Sequence, residues 1–294
     1  MIIRKLVISV LLLAAFGLFV PAQTQAQSFA VALRSYPVVP VIGGAIYAHA
    51  RALYLVGRRL GNRADVFSKL GDSITAWPYF LTPVGAGGLR LGIHPELATV
   101  FNYFSRDMAR TNNSFANQSL GAFPGWTTYD ILDPAKAARG ICTGGATPID
   151  CELGVSRPSI ALIMIGTNDL PAVDVNSYYF NLNRIVSIVE SHGVIPVLST
   201  LPRRKTDASS MGKLDQFNQA VVSIAAAHHI PLWNYWLAME DLPANGISVD
   251  QLHPSLPPDG NTGIFDGAHL SFGWTARNLT AMQVLNSLLV VVAR

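Results

Sequence analysis

The chain is predicted to fold as an α/β protein, a three-layer α/β/α sandwich around a mostly parallel, flavodoxin-like central sheet. Three observations carry this expectation. Ser159–Ile165 is a nearly unbroken apolar run, as a strand covered on both faces requires. Val194–Thr200 repeats that character, and Ile230–Trp233 gives a shorter third copy. Helical patterns at Ser177–Ser191 and Leu214–His228 lie between them, and strand–helix–strand alternation at this spacing implies right-handed crossovers in a parallel sheet.

Taken in order, residues 1–26 read as a secretory signal outside the fold. Arg4 and Lys5 form a basic start, Leu6 to Val20 is almost wholly apolar, and Pro21-Ala22-Gln23-Thr24-Gln25-Ala26 offers small residues for cleavage after Ala26 or Ala22. About 15 apolar residues fall short of the roughly 20 that span a bilayer. The mature chain is therefore expected in a secreted or periplasmic location, without stable membrane insertion. Residues 27–294 show no repeat and no low-complexity linker, and are read as a single domain. Within it, Val41–Leu60 has helical spacing with Arg51, Arg58 and Arg59 on a polar face, and Ala64–Leu70 reads as the first strand. The Gly- and Pro-punctuated stretch from Trp77 to Pro95 reads as loop. Its Gly85-Ala86-Gly87-Gly88 lacks the Lys-Ser/Thr of a phosphate loop. A last helix is expected from Thr275 to Val291.

Composition narrows the function. Half of the residues are hydrophobic and 13% are charged, enough for a sizeable core. The formal charge of +3 falls to about +1 without Arg4 and Lys5, which gives no electrostatic case for nucleic acid or an anionic membrane. Cys142 and Cys151 are the only cysteines, and export makes a disulfide their default state. The histidines are scattered without ligand spacing, so no metal and no cofactor is expected. Composition leaves the oligomeric state open.

Four short islands fall at the exits or loops of the expected sheet, where open α/β folds place their chemistry. In Gly71-Asp72-Ser73 a glycine lets the backbone turn so that Ser73 can present its hydroxyl at the sheet edge. In Pro124-Gly125-Trp126, just before an expected helix start, the Gly125 N–H can approach a ligand oxygen, although taken alone the glycine is better explained by a plain turn. In Gly166-Thr167-Asn168-Asp169 the Asn168 amide can aim into the crevice of Ser73 or cap the next turn. The fourth island is Asp-x-x-His, whose spacing lets a carboxylate hold one imidazole nitrogen while the other faces a nucleophile. It occurs twice, at Asp250/His253 and at Asp266/His269, and spacing does not choose between them.

In this order, from about Phe67 to the C-terminus, the islands resemble the SGNH (GDSL) esterase/lipase family. The Gly-x-Ser-x-Gly signature of α/β-hydrolases is absent. A secreted bacterial subgroup of that family shows Asp-Gly-x-His-Pro-Ser followed by a Gly-Tyr-Thr-x-Arg-Asn-Leu-Thr helix. Asp250-Gln251-Leu252-His253-Pro254-Ser255 and Gly273–Thr280 are similar to these, with Gln251 for the glycine and Trp274 for the tyrosine. That similarity favours Asp250 and His253 over Asp266 and His269, which look like the commoner family version. The resemblance implies a serine hydrolase cleaving carboxylic esters, with Ser73 as nucleophile, His253 as base and Asp250 as its orienter. The oxyanion would be held by the N–H groups of Ser73 and Gly125 and by the Asn168 amide, with Asp72 only shaping the turn. The substrate would be a small-molecule or glycan-linked ester. A carbohydrate-binding module on the same scaffold is the alternative. Trp77, Tyr79, Trp126 and Trp236 could line a sugar site or simply be buried.

Overall fold

A computed structural model describes residues 32–293. Helix α1 (Gly44–Arg59) leads into strand β1 (Phe67–Gly71) and the one-turn helix α2 (Ser73–Ala76). Then come α3 (Ala98–Phe104), α4 (Pro148–Ser156), β2 (Ile160–Met164), α5 (Asp169–Ala172) and α6 (Val175–Ser191). Strand β3 (Ile195–Ser199), α7 (Ala208–Ala227), β4 (Leu232–Trp233), α8 (Tyr235–Glu240) and α9 (Gly273–Val292) complete the order. The expected signal segment, residues 1–26, lies outside the described residues.

The four strands stand in the order β1-β2-β3-β4, all parallel. Every residue of β1, β2 and β3 is buried, which is why β2 and most of β3 are apolar without alternation, while β1 carries Ser68 and Lys69 into the interior. Beyond β1 the chain pairs once more. Gly71 N–H donates to the Gly121 carbonyl at 3.0 Å, and Phe123 N–H donates to the Gly71 carbonyl at 3.2 Å, a parallel bridge centred on Ala122. Counted as a vestigial strand, this segment makes the order 2-1-3-4-5, the flavodoxin-like winding. Helices α1, α3 and α8 pack with α9 in one layer, and α4, α5, α6 and α7 pack together in the other.

Local chemistry sets the helix ends. Asp174 caps α6 by accepting from the N–H groups of Asn176 and Ser177, and Asp207 caps α7 by accepting from Ser210 N–H. That second cap starts α7 at Ala208, six residues ahead of the expected Leu214. Thr147 and Asp150 form a reciprocal capping box on α4. Cys142 and Cys151 are disulfide-bonded, tying the preceding loop to α4. The Gly125 segment departs from expectation. It leads to two short 3₁₀ turns, Asp130–Leu132 and Pro134–Lys136, rather than an α-helix, because Pro134 holds Asp133 between them in extended backbone (ψ 115°). Among the described residues, no helix is long and apolar enough to cross a membrane.

Candidate active site

Residue Ser73 sits where β1 ends. The turn needs glycine at position 71, because a Cβ there would lie 2.0 Å from the Met164 carbonyl oxygen on β2. Asp72 is fully buried and caps α2, its Oδ1 accepting from Ile74 N–H at 3.0 Å. Burial pushes its carboxyl upward in pKa, against the hydrogen bond from Ile74 and the field of Arg277. Asp72 thus shapes the turn and is not paired with a histidine among the described residues.

The chain brings His253 to this serine from 180 residues away, with Ser73 Oγ 2.9 Å from His253 Nε2. On the other side of the ring, His253 Nδ1 lies 2.6 Å from Asp250 Oδ2. An ionised carboxylate only accepts, so Nδ1 carries the proton and Nε2 accepts from the serine hydroxyl. Asp250 is held in turn. Its Oδ1 accepts from Ser248 Oγ at 2.6 Å, from His253 N–H at 2.9 Å and from Leu252 N–H at 3.0 Å. Partial burial opposes ionisation, but these hydrogen bonds and that from His253 outweigh it and hold the carboxyl well below the usual range. A small antiparallel bridge, Ile247 to Pro254, closes the loop that carries both residues.

The second Asp-x-x-His is arranged otherwise. His269 Nε2 lies 3.0 Å from Asp259 Oδ2, and Asp266 meets His269 through its backbone carbonyl, which accepts the His269 N–H at 3.2 Å. Asp266 and His269 are therefore not brought to Ser73 as a relay among the described residues.

Asn168 and Gly125 stand at the strand exits on either side of β1. The Asn168 amide donates to the Trp126 carbonyl at 3.0 Å, which couples the loop after β2 to the loop after Ala122 and leaves the second amide N–H over. Asn168 makes no side-chain cap on α5. Gly125 has φ +84° and open space where a Cβ would be, so a ligand can come up to its backbone. Next to them, Asp169 accepts from Thr128 N–H at 3.0 Å and from the Thr128 hydroxyl. Burial still lifts its carboxyl to about 6.

Three features of the site are given no role by the sequence, although Arg277 falls within the stretch Gly273–Thr280 that resembles the subgroup helix. Ser248 anchors Asp250 from two residues away, and its signal is a hydroxyl placed before an aspartate in a turn. Trp77, one helical turn past Ser73, stacks on the His253 ring. Arg277 on α9 is buried under the site, donating to Thr75 Oγ1 at 3.1 Å and to Met164 Sδ at 2.9 Å. Its guanidinium carbon lies 4.1 Å from the centre of the Phe80 ring. Of the other aromatic candidates, Trp126 and Trp236 are buried, and Tyr79 is half-buried against Trp274. No metal-binding group of three or more His, Cys, Asp or Glu exists among the described residues.

Similarity to known proteins agrees with this architecture. No curated protein matches the chain. It is similar to a solved hydrolase from the metagenome of Lake Arreo, Spain, with 15% identity over 76% of this chain and 95% of that one, at TM-score 0.50, a likeness of fold. It is also similar to a GDSL-like lipase from Bacteroides thetaiotaomicron, with 15% identity over 79% and 94% of the two chains and TM-score 0.46. An acetyl xylan esterase from Geobacillus stearothermophilus shares 16% identity over 74% and 93%, also at TM-score 0.46. Residues 70–256, from the serine turn to just past His253, match the GDSL-like lipase/acylhydrolase family, and the chain belongs to that family of ester hydrolases.

Proposed function

We propose that the protein is an exported serine esterase that works through an acyl-enzyme. The observation that carries this reading is the continuous relay from Ser73 Oγ through His253 to Asp250, with contacts of 2.9 and 2.6 Å. Ser73 Oγ attacks the ester carbonyl carbon while His253 Nε2 takes its proton, and the imidazolium then returns that proton to the departing alcohol. Water repeats the sequence on the acyl-Ser73 ester, releasing the acid and restoring the serine. Asp250, kept ionised, holds the ring tautomer and offsets the positive charge that the ring gains. The carbonyl oxygen, negative in each tetrahedral intermediate, is met by the N–H groups of Ser73 and Gly125 and by the spare amide N–H of Asn168. Loss of one such donor costs about 3–4 kcal/mol, a hundred- to thousandfold in rate.

Turnover of 4-nitrophenyl acetate and labelling by a fluorophosphonate test the reading. Ser73→Ala and His253→Ala should abolish turnover, whereas His269→Ala should leave most of it. Undiminished turnover in Ser73→Ala, or a total loss in His269→Ala alone, would overturn the assignment. An unlabelled wild-type protein would instead be a binding module.

Export is supported by the apolar N-terminal stretch and by the Cys142–Cys151 bridge, a bond that persists in oxidising compartments. N-terminal sequencing of the mature protein should begin at Gln27 or Gln23.

A further inference from the structure

A groove of about 810 Å³ lies between the 3₁₀ turn that follows the Gly125 loop and the outer face of α6. Its size falls within the range of small-ligand sites, roughly 300–1,000 Å³. Two large rings stand exposed on opposite walls, Tyr129 on the turn at 54% exposure and Phe180 on the helix at 67%. Such rings in water leave apolar area uncovered, and paired across a groove they form two faces for a flat, partly apolar ligand.

The lining between the rings is polar and of mixed charge. Among the described residues Asp133 engages only one of its carboxylate oxygens, with Ala135 N–H. Asn181 donates its amide to Thr128 Oγ1 at 3.2 Å and keeps its carbonyl oxygen for a donor. Asp130 is drawn to Lys136 at 3.3 Å, which leaves Arg184 on the facing wall without a carboxylate partner among the described residues. Asn176 adds an exposed amide at the start of α6. Carboxylates beside the guanidinium disfavour a polyanion, and polar walls disfavour a long acyl chain. Aromatic faces combined with carboxylate, amide and guanidinium edges match a pyranose, which presents apolar C–H faces and a rim of hydroxyls.

The groove is wired to the reaction site. Thr128, to which Asn181 donates, donates in turn to Asp169, the neighbour of Asn168, and Asn168 holds the Trp126 carbonyl. The wall of the groove and the loop that offers Gly125 are one hydrogen-bonded unit.

We propose that this groove binds a pyranose oligosaccharide as the alcohol portion of an ester whose acyl group faces Ser73, which rests on the esterase reading above. Tyr129 and Phe180 hold the ring faces, while Asp133, Asn176, Asn181 and Arg184 take the hydroxyls.

The test is calorimetric titration of the full-chain Ser73→Ala protein with xylohexaose, mannohexaose and cellohexaose. At least one should bind, and Tyr129→Ala and Phe180→Ala should each weaken it about tenfold. In the Ser73 background the same two substitutions should leave 4-nitrophenyl acetate turnover within about twofold, because that substrate has no sugar to hold. Binding of none of the three, or undiminished binding in the Tyr129→Ala/Phe180→Ala double variant, would overturn the proposal. Binding by a wild-type protein that cannot hydrolyse 4-nitrophenyl acetate would instead leave the sugar groove standing and remove the esterase reading.

Discussion

The imidazole of His253 lies flat on the indole of Trp77, ring centroids 3.9 Å apart and planes 19° from parallel. Trp77 is the C-cap of α2, the helix that Ser73 begins, so one helical turn supplies both the hydroxyl and the surface that sets the ring. Such a stack is worth about 0.5–1.5 kcal/mol beyond the area it buries, and it steadies an imidazolium as well as an imidazole. Trp77→Ala should lower kcat for 4-nitrophenyl acetate about tenfold, and Trp77→Phe should recover part of the loss. Equal kcat in all three proteins would show that Asp250 alone orients the ring.

Residue Gln251 has φ +61°, the left-handed backbone that glycine adopts without strain. Its carbonyl accepts from Lys205 N–H at 2.8 Å, which fixes the turn from outside. Gln251→Gly should keep activity and either leave stability unchanged or raise it by no more than about 1 kcal/mol. The strain relieved is about 1–2 kcal/mol, and the looser unfolded chain offsets part of it. Gln251→Val, with a branched Cβ at positive φ, should lose about 1–2 kcal/mol by urea denaturation and lower kcat.

Burial draws the pKa of Arg277 down to about 10, and aromatic rings enclose its guanidinium, with Phe80, Tyr235 and Trp233 at 4.1, 5.3 and 5.5 Å. Arg277→Ala should cost about 3–5 kcal/mol, as for other large buried side chains. Arg277→Met fills most of the volume without a charge to desolvate and should cost distinctly less. Urea denaturation of the two variants gives the comparison, and a Met variant no better than Ala would mean that the hydrogen bond to Thr75, not packing, dominates.

Lys69 is buried with its ammonium on the Phe115 carbonyl at 2.7 Å, and burial lowers its pKa to about 7 despite the attraction of Glu152. The unfolded lysine keeps its proton up to about 10.4. Between about pH 7 and 10 the unfolded chain therefore binds more protons than the folded one, and stability from this group rises with pH across that window. Lys69→Met should remove this rise, so that its melting temperature follows a flatter course from pH 7 to 10 than the wild type. Parallel courses would place the folded Lys69 near the ordinary lysine value.

Much of the architecture is legible in the sequence, because parallel strands buried on both faces leave unbroken apolar runs. The edges are not. Strand β4 shortens to Leu232–Trp233, and the strand beside β1 shrinks to one bridge at Ala122, too little for any pattern to mark. Ser73, Gly125 and Asn168 can be named because each sits in a short motif at a strand exit. The two Asp-x-x-His segments have the same spacing, and what separates them is tertiary. Asp259 takes up His269, while Gln251, the position where the resembling subgroup has glycine, turns the other segment toward the serine. Trp77, Ser248 and Arg277 act through contacts made by folding, and their residue types are compatible with many bland roles.

Ser73 and His253 stand 180 positions apart, and that distance separates two moments in the life of the chain. Synthesis runs from the N-terminus, so all four strands are present once Trp233 has emerged, while His253 is still to come. The last helix, α9, which brings Trp274, Met282, Leu285, Leu288 and Val291 into the core, follows His253, so the imidazole is made before the core can close. The nucleophile is thus made long before the base that serves it, and a chain cut short ahead of His253 has the serine turn without the relay.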